Sequence, residues 1–212
     1  MRGAERRSNL PAMMPPELHR RFVATAAGLS QKLARDIAEM GPIWFPERAD
    51  HGPAAFLVRA IVAQQISASA ARGIWARVQN AAAANGATLA DFLTRVDAPA
   101  LRACGLSGNK AKAVLAIQAA GPFDELRALE HAARSELLCA IWGIGQWTAD
   151  MMAIFYYREP DIWPQGDLAV QSGFRAYIGR RKPEKAASLF APHRSLLALY
   201  MWRLKGGALP DK

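Results

Sequence analysis

Leu138-Cys-Ala-Ile-Trp-Gly-Ile-Gly-Gln-Trp-Thr-Ala-Asp150 is the stretch whose reading decides the fold. Two glycines flank one isoleucine between an apolar run and a segment that reads as a new helix, so the chain must turn tightly at Gly143, Ile144 and Gly145. The backbone N–H groups of Gly145, Gln146 and Trp147 then stand at the start of that helix, without partners inside it and at the positive end of its dipole. Such an end favours an anion, and phosphate is the commonest.

Outward from this hairpin the spacing predicts helices on both sides. Residues 126–133 and 135–142 lead into it and 146–157 leave it. Upstream, helices are expected over 17–27, ended by Gly28, and over 33–40, 56–65 and 67–83, the last capped by Ser67. Short helices follow at 89–95 and 99–104, with Asp97 as N-cap to the second, and a longer one at 108–119. Downstream, a loop containing Pro160 and Pro164 delivers the chain to Asp167 and helices at 168–178, from Pro183, and at 193–204. Period-two alternation over a strand length is absent, which predicts an all-α fold.

With 212 residues, 51% hydrophobic and 21% charged, the chain is long enough to bury a real core as a soluble globular protein. Its formal charge of +9 favours a polyanionic partner such as nucleic acid. The charge concentrates between Arg175 and Lys205, where Arg175, Arg180, Arg181, Lys182, Lys185, Arg194, Arg203 and Lys205 face the single acid Glu184. A solvated basic face, or a patch for an acidic membrane surface, is the bland alternative. Cys104 and Cys139 are the only cysteines, so neither a disulfide framework nor a thiolate metal cage is supported and a reducing, cytoplasmic location is expected. Neither an apolar signal core nor a window of membrane-spanning length is evident, so no membrane partner is expected.

Lys110 and Lys112 lie near the start of the 108–119 helix, where cations oppose the dipole; phosphate contact is one reason for that placement, simple exposure another. Asp167 precedes a helix and reads as its N-cap or as an exposed catalytic carboxylate, and both can hold at once. Asp150 and Asp161 are its rivals. Trp147, Met151 and Phe155 fall at i, i+4 and i+8, a stripe that usually belongs to a core.

The hairpin Gly143-Ile-Gly145 followed by Trp147-Thr148-Ala149, with an aspartate 19 positions after Thr148, resembles the helix-hairpin-helix DNA glycosylase superfamily. Ala60-Ile-Val-Ala-Gln-Gln-Ile-Ser67 is similar to the family's helix end that enters the DNA. Gly105-Leu-Ser-Gly-Asn-Lys-Ala-Lys112 is similar to its Gly-Leu-Ser lysine turn, and Asp161-Ile-Trp-Pro-Gln-Gly-Asp-Leu168 completes the set. The match is nearest to the DNA-3-methyladenine glycosylase II group.

The resemblance implies two helical subdomains flanking a DNA-binding cleft, with the hairpin at their junction. A tail at 1–15 would precede one subdomain made of 16–59 and 167–212 and another made of 60–166. It implies hydrolysis of the N-glycosidic bond of flipped-out alkylated purines, 3-methyladenine and with it 7-methylguanine, in duplex DNA by a monomer. Asp167 would stabilise the cationic sugar or orient water. Relatives that cut the strand carry a lysine where this chain has Trp147, so a monofunctional enzyme is implied. Trp147, Met151 and His193 would line the base pocket, His193 standing where an aromatic residue often precedes Arg-Ser. Gln65, with Gln64, would plug the gap left by the flipped base. Gly143, Ile144, Gly145, Gln146, Thr148, Ser107, Lys110 and Lys112 would hold phosphates. No cofactor is implied: the cysteines of an iron–sulfur cluster are missing after Cys139. The carbonyls of Trp142, Ile144 and Gln146 could hold an alkali ion. A non-catalytic helix-hairpin-helix DNA-binding protein, or a glycosylase for another lesion class, is the alternative.

Overall fold

In the computed structural model the described residues are 13–46 and 51–206, with the backbone alone at Ala68. The expected tail at 1–15 lies, up to residue 12, outside them. Among the described residues every regular element is a helix, without a strand. The helices are α1 (Pro16–Leu29), α2 (Gln31–Met40), α3 (Gly52–Ala63), α4 (Ala68–Ala84), α5 (Leu89–Arg95), α6 (Ala98–Ala103), α7 (Gly108–Ala120), α8 (His131–Cys139), α9 (Gln146–Met151), α10 (Leu168–Ile178), α11 (Pro183–Ala187) and α12 (Arg194–Leu204).

Local chemistry fixes most of the starts. Ser30, Ser67, Thr88, Asp97, Ser107 and Asp167 each accept a hydrogen bond from the backbone N–H three residues on, meeting one of the four donors a helix start leaves unpaired. Proline occupies the first turn of α1, α3, α6 and α11, where its missing N–H costs nothing. Gly28 does not end α1, which continues through it to Leu29; Ser30 makes the break, because its side chain caps α2. The approach to the hairpin also differs from expectation. Asp124–Ala128 is a 3₁₀ turn and α8 is one helix through Ser135, buried in its middle. After α9 the helix widens to π geometry over Met152–Tyr156.

The described residues form two compact units, one from both ends of the chain (13–46 and 153–206) and one from 51–152. These limits differ from the expected ones at 59/60 and 166/167. A boundary at 59/60 would cut α3, which packs as one rigid helix against α4, α5, α7 and α9. Residues 153–166 go with the terminal unit because their loop is hydrogen-bonded to the start of α12.

In the terminal unit α12 is buried on every side from Ser195 to Trp202, a stretch apolar all round apart from the hydrogen-bonded hydroxyls of Ser195 and Tyr200. Around it pack Phe22 of α1, 5.9 Å from the Tyr200 ring, Phe155, 5.4 Å from Trp202, and α10. The Tyr200 hydroxyl donates to the Gly41 carbonyl at 2.9 Å, and burial pushes its pKa up to about 12. In the central unit α3 supplies Leu57, Val58, Ile61 and Val62 to the core. Among the described residues no helix is long and apolar enough to cross a membrane.

Candidate functional site

The hairpin lies in the central unit. Gly143 has φ +90, and a Cβ there would stand 2.6 Å from the Cβ of Ala113 on α7, so both conformation and contact demand glycine. Ile144 is 5% exposed and anchors the turn in the core. Gly145, by contrast, has extended backbone and nothing within 4 Å of the Cβ position. Its carbonyl accepts the N–H groups of Thr148 and Ala149, and no side chain caps α9.

Several expected phosphate ligands are committed inside the protein instead. Thr148 is buried and its hydroxyl accepts from the Gln64 amide at 3.2 Å, because it lies on the inner face of α9. The Gln146 amide reaches Asp150 at 2.7 Å and Ser135 at 3.4 Å, and His131 closes this network on Asp150 at 3.1 Å, which removes Asp150 as a rival carboxylate. Lys110 Nζ donates to the carbonyls of Val62 at 2.7 Å and Gln64 at 2.8 Å, where the last turn of α3 leaves acceptors unpaired. Burial holds its pKa below the ordinary lysine value. The Ser107 hydroxyl is the N-cap of α7. Lys112 stays exposed, its ammonium 4.4 Å above the ring of Trp142.

Gln64, expected as part of the plug, braces the hairpin: its amide also reaches the Gly143 carbonyl at 3.4 Å. Gln65 is exposed and left-handed at φ +56, rare for a residue with a Cβ. Among the hairpin carbonyls that could hold an alkali ion, those of Trp142 and Ile144 accept no hydrogen bond among the described residues, so that edge fits the group.

The aspartates lie in the terminal unit. Asp167 is 6% exposed; one carboxylate oxygen caps α10 through Val170 N–H at 2.8 Å, and its own N–H donates to Pro164 O. Asp161 is spent structurally, gripped by Arg194 Nε at 2.7 Å and Nη2 at 2.8 Å. Burial works against its charge, but the Arg194 hydrogen bonds and charge outweigh it and hold the carboxyl below the usual range. Ser195, fully buried, donates to Glu159 O at 2.6 Å and accepts from Ile162 N–H at 2.9 Å. Arg194 and Ser195 thus clamp the loop that delivers Asp167, a role hidden in the sequence because the partners are 33 to 36 positions away. Arg194 therefore leaves the free basic surface, while Arg175, Arg180, Lys182, Lys185 and Arg203 remain exposed.

Among the expected pocket residues, Trp147 is half-buried, whereas Met151 is 2% exposed and belongs to the packing. His193 is half-buried; burial, reinforced by the charge of Arg21 and opposed by Asp161, lowers its pKa, so the ring is neutral at physiological pH. His193 Nδ1 and Trp163 Nε1 are buried without a hydrogen-bond partner among the described residues, a cost that a bound polar group would relieve. Trp163, beside Pro164 in the aspartate loop, packs its ring edge-on against Phe174 at 5.4 Å.

No protein-family profile matches the chain. DNA-3-methyladenine glycosylase 1 of Schizosaccharomyces pombe is 30% identical over 160 residues, covering 69% of this chain and 70% of that protein. The crystal structure of DNA-3-methyladenine glycosidase from Bacillus halodurans superposes with a TM-score of 0.70 at 30% identity, over 87% of this chain and 89% of that one. The Schizosaccharomyces pombe 3-methyladenine DNA glycosylase in complex with abasic DNA gives a TM-score of 0.74 at 27% identity, over 89% and 98%. Shared sequence, all-α architecture and a glycine hairpin opening onto an uncapped helix agree: the chain belongs to the DNA-3-methyladenine glycosylase family of the helix-hairpin-helix superfamily.

Proposed function

We propose that this chain acts as a monomer on duplex DNA, hydrolysing the N-glycosidic bond of alkylated purines, 3-methyladenine first and 7-methylguanine with it, without cutting the strand. The observation that carries the reading is the placement of Asp167: Arg194 and Ser195 clamp the loop that ends on it, and the Val170 N–H fixes one oxygen of its carboxylate at the start of α10, while Asp161 is taken up by Arg194. As the bond from C1′ to the purine nitrogen breaks, its electron pair leaves with the base and positive charge builds on the sugar. A carboxylate lowers the energy of that state, and water then adds at C1′ and gives up a proton. An alkylated purine that is already cationic departs neutral, so the site needs no second acid to protonate it. The half-buried Trp147 supplies an electron-rich face for such a base, and a neutral His193 does not repel it. Backbone at Gly145 and Gln146, together with the exposed cations, supplies the phosphate grip.

Base release from alkylated duplex DNA by wild type and Asp167→Asn tests the assignment. Asparagine is as good an N-cap as aspartate, so the variant keeps the helix start and removes the charge. Release should fall by at least about a hundredfold. Equal release by both would overturn the role of Asp167, and binding with no release of any base by wild type would leave a DNA-binding protein.

A further inference from the structure

The turn between α3 and α4 is held by two separate ties. Lys110 Nζ, at the start of α7, grips the carbonyls of Val62 and Gln64. The Gln64 amide grips Gly143 O and Thr148 Oγ1 on the hairpin. Between these ties and the capping Ser67 stands Gln65, left-handed and exposed. A residue with a Cβ holds that conformation only where its surroundings fix it, and here the fixing atoms are its neighbour's carbonyl and side chain. The placement of Lys110 is informative by itself: a half-buried ammonium beside the first turn of its own helix opposes that dipole, and it is retained where it meets the negative end of another.

We propose that Lys110 and Gln64 are positioning residues for base flipping, locking the turn so that Gln65 enters the duplex in step with the hairpin's hold on phosphate. This rests on the reading of Gln65 as the plug. A loose turn would let the hairpin bind phosphate while Gln65 swung away, and binding free energy would not be converted into unstacking. Through Gln64 the turn and the hairpin move as one body, so contact with the strand and filling of the vacancy become a single event. The tie also explains why Thr148, buried beneath the hairpin, carries a hydroxyl there at all.

The test compares affinity for a duplex containing a tetrahydrofuran abasic analogue with affinity for the same duplex undamaged, alongside base release. Lys110→Met keeps the aliphatic length and removes both hydrogen bonds; its preference for the abasic duplex should fall about tenfold while affinity for undamaged DNA changes by less than about twofold. Lys110→Arg, whose fork can still reach two carbonyls, should restore part of the preference. Should Lys110→Met fail to fold, Gln64→Leu severs the other tie and carries the same expectation. An unchanged preference, or a parallel loss on both duplexes, would overturn the proposal. Replacing Gln65 with glycine keeps the turn and removes the plug: a retained preference there refutes the plug itself, which distinguishes failure of that reading from failure of the positioning role.

Discussion

Two turns in the central unit begin alike and end differently. Cys104-Gly-Leu-Ser107 between α6 and α7 and Gly143-Ile-Gly145 between α8 and α9 both start on a left-handed glycine, φ +96 and φ +90, and both bury the aliphatic residue that follows. In the first, Ser107 caps its helix, and the guanidinium of Arg77 fills the space beside Gly105, 2.6 Å from where a Cβ would lie. In the second, Ala113 fills the space beside Gly143, but Gly145 offers no side chain and faces open space. The first turn is completed by the protein; in the second the N–H groups of Gly145 and Gln146 have no hydrogen-bond acceptor among the described residues. In the terminal unit, too, polar groups are answered from within: the Asp161 carboxylate by Arg194, and one oxygen of Asp167 by the Val170 N–H at the start of α10.

The largest test of this comparison is Gly143→Ala, which meets both the left-handed backbone and Ala113. It should lower unfolding stability by about 3 kcal/mol in a denaturant titration. A variant as stable as wild type would show that the turn does not depend on that contact.

Next comes Asp161→Asn, which leaves the Arg194 fork without its charged partner and should cost about 2 kcal/mol at neutral pH. The folded carboxyl lies below its unfolded value of about 3.9, so the contribution is complete above that value and is lost as pH falls through the folded pKa. The stability difference between wild type and variant should therefore shrink only in acid. A gap that persisted undiminished to low pH would mean the charge pair is not its source.

The smallest effect, and the one that sharpens the comparison most, is Gly145→Val. With extended backbone and no neighbour at the Cβ position, stability should fall by less than about 1 kcal/mol, whereas affinity for duplex DNA by fluorescence anisotropy should drop about tenfold. Losses of stability and affinity in proportion would place Gly145 with Gly143, as a glycine the turn itself requires.

How much was legible follows the range of each interaction. Ser67, Asp97 and Asp167 were readable as caps because donor and acceptor are three residues apart. The hairpin was readable because two glycines around one isoleucine leave few other paths. The internal partners of Lys110 were not legible because the carbonyls it meets are 46 and 48 positions away, nor was that of Thr148, because Gln64 is 84 positions away. Met151 shows the same limit: its spacing from Trp147 gave a stripe, but only packing set its exposure at 2%.

By itself, then, the sequence determined the helices, their caps, the tight turn at Gly143 and the family resemblance, all governed by steric and hydrogen-bonding rules that act within a few residues. Tertiary structure alone decided which polar groups the protein keeps for itself. Lys110, Gln64, Thr148 and Arg194 are indistinguishable in sequence from groups offered to DNA, because whether a donor is spent or free depends on acceptors that only folding brings beside it.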